Sequence, residues 1–378
     1  MHIIIQITII LLASVLATLI SKRIGIPAVV GQLLVGIIIG PAMLGLVHQN
    51  QVLHVLSEIG VILLMFLAGL EANFDLLKKY LKPSLLVAIT GVIVPMALLA
   101  LFYFLTRLFG FQINTAIFYG LVFAATSISI TVEVLQEYNR VKTDTGAIIL
   151  GAAVADDVLA VLLLSVFIAT NGSSSNIGLQ IIIQLLFFVF LFICMKYLVP
   201  ALFKLIEKVH FFEKYTILAI LICFSLSILA DKVGMSSIIG SFFAGLAIGQ
   251  TSFVDKVEHK ISLLSYTFFI PIFFASIALP LKFDGMMSHL HTILIFTALA
   301  VLSKLIPGYF VGRGFNFSKL ESLTIGGGMV SRGEMALIIV QVGLAAKIIS
   351  STTYSELVIV VILSTIIAPF ILKYSFKD

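Results

Sequence analysis

The sequence predicts an all-α integral membrane protein of about thirteen transmembrane helices, in two inverted-topology repeats with two broken helices. Three observations carry that prediction. Hydrophobic residues make up 61% of the chain and charged residues only 11%, with a mean hydropathy of +1.21. Soluble domains carry about a quarter charged residues, so this chain cannot clothe itself in a water-facing surface. Its basic residues collect on alternate loops, and a glycine pattern in the first half returns in the second.

Apolar runs near the length that crosses a bilayer fall at roughly 3–20, 27–46, 52–70, 84–106, 114–136, 146–169, 177–203, 215–231, 236–250, 262–281, 289–312, 319–346 and 353–372. The connections are short and leave no room for a soluble domain. The chain stops soon after the last run, which predicts no C-terminal cytosolic regulatory domain. Residues 1–20 lack a basic n-region and a small-residue cleavage site, so they read as a first span rather than a signal peptide. Cys194 and Cys223 lie inside apolar runs and read as packing residues, not a disulfide. The seven histidines (His2, His48, His54, His210, His259, His289 and His291) sit at span ends or in loops, so no His/Cys cluster points to a transition metal.

Lys22, Arg23, Lys78, Lys79, Lys82, Arg140, Lys142, Lys204, Lys208, Lys214, Lys256, Lys260, Arg313, Lys319, Lys373 and Lys377 share one side of this layout. Arg107, Lys232, Lys282 and Lys347 share the other, sixteen against four. Cytoplasmic loops carry the excess of Lys and Arg, so the N-terminus is expected outside and the C-terminus in the cytoplasm. The net charge of +5 is spread over these loops, and no clustered patch points to nucleic acid.

Residues 24–41 read IGIPAVVGQLLVGIIIGP, and residues 233–250 read VGMSSIIGSFFAGLAIGQ. At a shift of 209, Gly25, Gly31, Gly36 and Gly40 fall on Gly234, Gly240, Gly245 and Gly249, and Phe74-Asp75 falls on Phe283-Asp284. Small residues recur in any membrane helix because they permit close packing; four in register, with a second echo at the same shift, point to duplication. Span two begins on the cytoplasmic side and span nine outside, so the halves are inverted. Inverted repeats with a site at their interface belong to secondary transporters, whereas a channel or membrane enzyme does not need them.

Span six contains GAAVADDVLAVL and places Asp156 and Asp157 near its centre. Carboxylates at that depth are expensive and mark function by default. Adjacent helical residues point about 100° apart, so the two acids cannot share one environment. A carboxylate tuned between desolvation and a nearby cation can trade a proton for a metal cation. Lys304 in span eleven lies too deep to snorkel and is paired with Asp156 as a hypothesis.

Two further spans look interrupted. Span five carries FAATSISITVEV, with Thr126, Ser127, Ser129 and Thr131 at mid-depth. For this span alone two readings stay open, a break or a continuous helix whose hydroxyls bond back to it. Span twelve carries TIGGGMVSRGEMALII, where three glycines, Ser331, Arg332, Gly333 and Glu334 interrupt the helical pattern. Aligning Gln136 with Gln341 sets Thr126 opposite Ser331. Interrupted helices expose carbonyls and partial charges to a bare cation. Asp156, Asp157 and Glu334 against Lys304 and Arg332 leave a net charge of minus one, which suits a monovalent cation or a proton. Asp157, Asp156 and Thr126 are the hypothesised sodium ligands, and hydroxyl, carboxylate and carbonyl oxygens are hard enough for one. Glu71 and Glu133, near the cytoplasmic ends of spans three and five, are candidates for a cation funnel, although a place at the headgroup level is the simpler reading.

In GQLLVGIIIGPAMLG, FLAGLE, ATSISITVEVLQE, ILGAAVADDVL, the Ser303-Lys304 of span eleven and SRGE of span twelve, the chain resembles bacterial sodium/proton antiporters of the monovalent cation:proton antiporter-2 family. The resemblance runs the whole length, residues 1–378 forming one exchanger unit. It implies a homodimer in the bacterial inner membrane, with a dimerisation scaffold of 1–83 and 213–285. It also implies a core of 84–170 and 286–378 that moves as an elevator, and a linker helix within 171–212. By that resemblance Asp157 is the principal cation and proton carrier and Asp156 forms the salt bridge with Lys304. Thr126 and Ser127 would lie at the first break, with Arg332 and Glu334 near the second, and the two broken helices would cross beside the acids. Members with Asp-Asp and this lysine resemble electrogenic exchangers, two protons per sodium. The potassium-efflux branch shares the fold but usually adds a nucleotide-binding domain that this sequence lacks.

Sodium (or lithium) for proton exchange is thus the expected activity, with potassium/proton exchange the alternative and no cofactor or enzymatic reaction expected. Organic-anion uptake would want an arginine clamp and fewer acids. An aspartyl intramembrane protease needs its two carboxylates on facing elements sharing a water or proton, which neighbours on one helix cannot do.

Overall fold

With no water in the bilayer core, every backbone N–H and C=O must be satisfied within the chain, which favours helices. The computed structural model describes residues 2–24, 26–106, 113–170, 177–279, 281, 289–345 and 348–376, and its regular elements are all helical. They are α1 (His2–Ile24), α2 (Ala28–Ile39), α3 (Gln51–Glu71), α4 (Phe74–Lys79), α5 (Leu81–Thr106), α6 (Ile113–Ala124), α7 (Ile128–Glu137), α8 (Asp144–Thr170) and α9 (Ile177–Ile193). There follow α10 (Val199–Glu207), α11 (Lys214–Lys232), α12 (Ser237–Gly249), α13 (Val254–Leu264), α14 (Ile270–Ala278), α15 (Leu290–Gly314), α16 (Lys319–Gly328), α17 (Glu334–Ala345) and α18 (Ser351–Ser375). Helix occupies part of each of the thirteen predicted ranges. Among the described residues nine helical stretches are long and apolar enough to cross a membrane, and α2 and α12 are shorter apolar helices. Gly25, Arg107, Lys282, Phe283, Asp284, Lys347 and Lys377 lie outside the described residues, as does the segment 171–176 of the predicted linker.

Three local departures from the sequence reading have simple causes. The predicted loop after span three holds the short helix α4, started by the Asn73 side chain, which accepts from the Leu76 N–H at 3.1 Å. Asp75 in its first turn and Lys78 and Lys79 in its last match the helix dipole. Span ten starts at Val254 rather than near 262, because the charged run there is one face of a helix that buries Val257 and Ile261. Finally, α9 continues into α10 through a π-turn at Cys194–Leu198, and α13 into α14 through one at Ser265–Phe269. Pro200 and Pro271 each stand six residues beyond the start of their π-turn. Proline lacks the N–H and its ring clashes with the carbonyl four residues back; widening the preceding turn makes room.

The chain divides into two compact units, one of Met1–Asn50, Tyr80–Leu164 and Phe274–Asp378, the other of Gln51–Lys79 and Ser165–Phe273. The second unit is centred on α3 and α12, packed backbone to backbone. A Cβ at Gly69 would overlap the Phe242 carbonyl, one at Gly245 the Phe66 carbonyl, and one at Gly249 would stand 2.6 Å from the Leu70 carbonyl oxygen. Lys260 on α13 pairs with Glu213 at the start of α11 and holds its carboxyl below the usual range.

In the first unit α2 packs on α1 and α14 in the same manner. A Cβ at Gly31 would stand 3.0 Å from the Ala17 carbonyl oxygen, one at Gly36 would overlap the Ala275 carbonyl, and one at Gly40 would meet Leu279 Cδ2 at 3.2 Å. Gly240 meets the Leu226 carbonyl in turn. The contacted residues are themselves 209 apart: Ala17 and Leu226, Phe66 and Ala275, Leu70 and Leu279. Helix starts follow the same shift, Ala28 with Ser237 and Leu81 with Leu290. Glu137, closing α7, accepts from the Ala28 N–H at 2.9 Å and so caps α2, whose Pro27 offers no capping side chain.

Candidate ion-binding site at two crossing helix breaks

Span five is broken between α6 and α7, and span twelve between α16 and α17. Hydroxyl side chains compete for backbone groups and weaken the helix at the first break. At the second, Gly326, Gly327 and Gly328 have poor helix propensity. Ser127 adopts an extended conformation, φ −97° and ψ 113°, and the two unwound segments cross there. Its N–H donates to the Ser331 carbonyl at 2.8 Å, while Ser331 Oγ donates to the Ser127 carbonyl at 2.6 Å. Thr131 Oγ1 donates to the Gly328 carbonyl at 2.7 Å and lies 3.0 Å from Ser331 Oγ. All three side chains are buried. Only glycine fits at 333, because a Cβ there would stand 2.6 Å from Ser127 Cβ.

Asp156 on α8 and Lys304 on α15 are each 1% exposed, and Lys304 Nζ lies 2.8 Å from Asp156 Oδ1 and 3.0 Å from Oδ2. The ammonium reaches across Gly91 of α5, where a Cβ would come within 3.1 Å of Nζ. Arg332 is wholly buried within the second break. Its Nη1 donates to the carbonyls of Met329 at 3.2 Å and Val330 at 2.9 Å, and its Nη2 to the Ala300 carbonyl of α15 at 2.6 Å. At Met329 and Val330 the guanidinium thereby satisfies carbonyls that unwinding leaves without helical partners. Thr365 of α18 donates to the Arg332 carbonyl in turn.

Asp157 is half-buried while its neighbour Asp156 is not exposed, so the two acids have different surroundings. The Thr126 hydroxyl oxygen is buried and has no hydrogen-bond partner among the described residues. It is an available hard oxygen at the first break. Glu334 opens α17, and its side chain lies outside the described residues. Glu133 is buried on α7, whose residues from Ile128 to Leu135 are all enclosed by protein. Glu71 ends α3 in the other unit and is half-buried.

Three participants escaped the sequence reading. Gly91 makes room for the lysine, the Ala300 carbonyl receives Arg332, and Thr365 fixes the Arg332 backbone. A lone glycine before Pro95 and hydroxyls in the apolar run VILSTIIAP were the available signals.

Crossed helix breaks, with a buried arginine in the second of them and a buried ion pair on neighbouring helices, define a polytopic helical membrane protein with a charged centre. The chain matches the sodium/hydrogen exchanger transmembrane family over residues 9–377 and belongs to that family. It is 48% identical to the Na(+)/H(+) antiporter of Enterococcus hirae, over 97% of this chain and 96% of that one. It is 40% identical to the Na(+)/H(+)-K(+) antiporter GerN of Bacillus cereus, over 98% of this chain and 95% of that one. Its fold matches the solved sodium proton antiporter MjNhaP1 from Methanocaldococcus jannaschii with a TM-score of 0.65 at 19% identity, covering 100% of this chain and 97% of that one.

Proposed function

We propose that the chain is a secondary active antiporter exchanging sodium, or lithium, for protons across the bacterial inner membrane. The observation that carries this is the Lys304–Asp156 pair, buried on the helices that flank the crossing, with half-buried Asp157 next along α8. One carboxylate is neutralised by the lysine, and its neighbour is the group that alternates between proton and cation. Deprotonated Asp157, the Thr126 hydroxyl and carbonyls of the first break would hold the dehydrated cation; reprotonation of Asp157 releases it. A second proton exchanges at the Asp156–Lys304 pair, giving two protons per sodium and an electrogenic cycle. The 209-residue recurrence of glycine contacts supports a duplicated, inverted architecture. On that architecture the core of 84–170 and 286–378 moves as an elevator against a scaffold of 1–83 and 213–285. Assignment to the monovalent cation:proton antiporter-2 branch, a homodimer, an outside N-terminus and a cytoplasmic C-terminus belong to the same reading. Potassium is the second cation to consider, because one relative is named for both sodium and potassium.

The test is purified protein in liposomes with a pH-reporting dye, given sodium, lithium, potassium or an impermeant organic cation. Sodium-dependent proton flux that disappears in Asp157→Ala is expected. No cation-dependent flux in the wild type, or flux surviving the substitution, defeats the proposal.

A further inference from the structure

α15 and α18 meet at a constant sequence offset. Val301 and Ala368 share one apolar cluster, and His289 Nδ1 lies 2.9 Å from Glu356 Oε1; each pair is 67 residues apart. The same two helices hold the second break from both sides, through the Ala300 carbonyl and the Thr365 hydroxyl bonded to Arg332. His289 and Glu356 therefore tie the helix that carries Lys304 to the helix that fixes Arg332. They do so at the N-cap of α15 and in the second turn of α18.

The pair is built asymmetrically. The Glu356 side chain is 13% exposed and the His289 side chain 43%, so a mostly buried carboxylate meets a half-exposed imidazole. Tyr119 of α6, buried and stacked on Phe296 at 4.9 Å, stands beside Glu356 and within hydrogen-bond reach of Thr353. Among the described residues of the helices packed on α15 and α18, the other titratable groups near this end are His291 on α15, Tyr354 on α18 and Tyr103 on α5, and α17 brings none. Histidine changes charge between pH 5 and 8. A hydrogen bond from an imidazolium to a carboxylate is roughly twice as strong as a neutral one.

We propose that His289 and Glu356 are positioning residues, a proton-operated clasp that sets how firmly α15 and α18 grip the second break and so the exchange rate. Protons on the side that the proposed orientation makes external would close it. The inference rests on the exchange activity proposed above for its main readout. Glu356 is not offered as a cation ligand, and the clasp acts through Arg332 and Lys304.

Exchange is measured in proteoliposomes of one orientation, varying pH on the clasp side with the other side fixed. The wild-type rate is expected to move between two plateaus across about pH 5 to 8. His289→Lys, charged throughout, stays at the acid plateau; His289→Gln and Glu356→Gln stay at the alkaline plateau. A variant that keeps the wild-type inflection, or Lys and Gln variants with equal rates, overturns the clasp. Thermal unfolding in detergent separates the clasp from transport. The melting temperature of the wild type should exceed that of Glu356→Gln by more at pH 5.5 than at pH 8.5, because the ion pair exists below the imidazole's titration range and is lost above it. An equal difference at both pH values overturns the clasp. Absence of exchange in the wild type, with the melting difference intact, instead defeats the antiport reading.

Discussion

A buried ion pair is stable only when its mutual attraction and added hydrogen bonds offset the several kcal/mol that each ion loses on leaving water. Lys304 and Asp156 meet that requirement with two contacts, at 2.8 and 3.0 Å, and with the space that Gly91 leaves for the ammonium. Removing one partner strands the other. Lys304→Ala is therefore expected to lower unfolding stability by about 3–5 kcal/mol. Asp156→Asn combined with Lys304→Gln should recover most of that loss. Thermal unfolding of both variants checks this, and a double variant no more stable than the single one contradicts it. At this scale the acids and the lysine were legible in the sequence, because a charge deep inside an apolar run is costly and persists where it is paired or used. Gly91 and Thr365 were not: their roles are set by which side chain from another helix reaches them, and no local pattern records that.

The two breaks show what an element can and cannot announce. The second was visible as three glycines followed by Ser-Arg-Gly-Glu, a run that neither packs nor propagates a helix well. The first was not separable from a continuous helix whose hydroxyls bond to their own carbonyls, which is how Thr90, Ser227 and Thr324 behave here. What decides it is the partner: Ser127 and Thr131 bond to Ser331 and Gly328, about 200 residues away. Thr131→Val keeps the shape but removes the donor to the Gly328 carbonyl. A buried acceptor left unsatisfied costs about 1–3 kcal/mol. The loss should appear in unfolding of the variant, together with slower exchange, because the crossing holds both breaks in place. An unchanged melting temperature would mean that the Gly328 carbonyl finds another donor. The missed α4 and the early start of α13 share a cause. In both, charged residues are the solvated face of a helix, not the end of one.

For the whole molecule, the recurrence at 209 residues extends beyond the glycines to the backbones they touch, which is a constraint on packing and not merely on composition. Phe66 and Ala275 offer their carbonyls to Gly245 and Gly36, so each half presents to the small-residue helix of the other half the same close approach. Such contacts tolerate no side chain at these glycines. With Arg332 committed to carbonyls and Lys304 to Asp156, the charge that moves is decided by how many protons replace one sodium. Two protons entering for each sodium leaving carry one net positive charge inward, so an interior-negative potential drives sodium out. One charge across 100 mV corresponds to about 2.3 kcal/mol, and at 1.36 kcal/mol per tenfold this shifts the limiting sodium ratio by roughly 50-fold. Proteoliposomes clamped with a potassium gradient and valinomycin measure it directly. Flux should rise when the lumen into which protons move is made negative and fall when it is made positive. A flux indifferent to the imposed potential would establish one-for-one exchange, with Asp157 alone carrying the proton and the Asp156–Lys304 pair reduced to a structural brace.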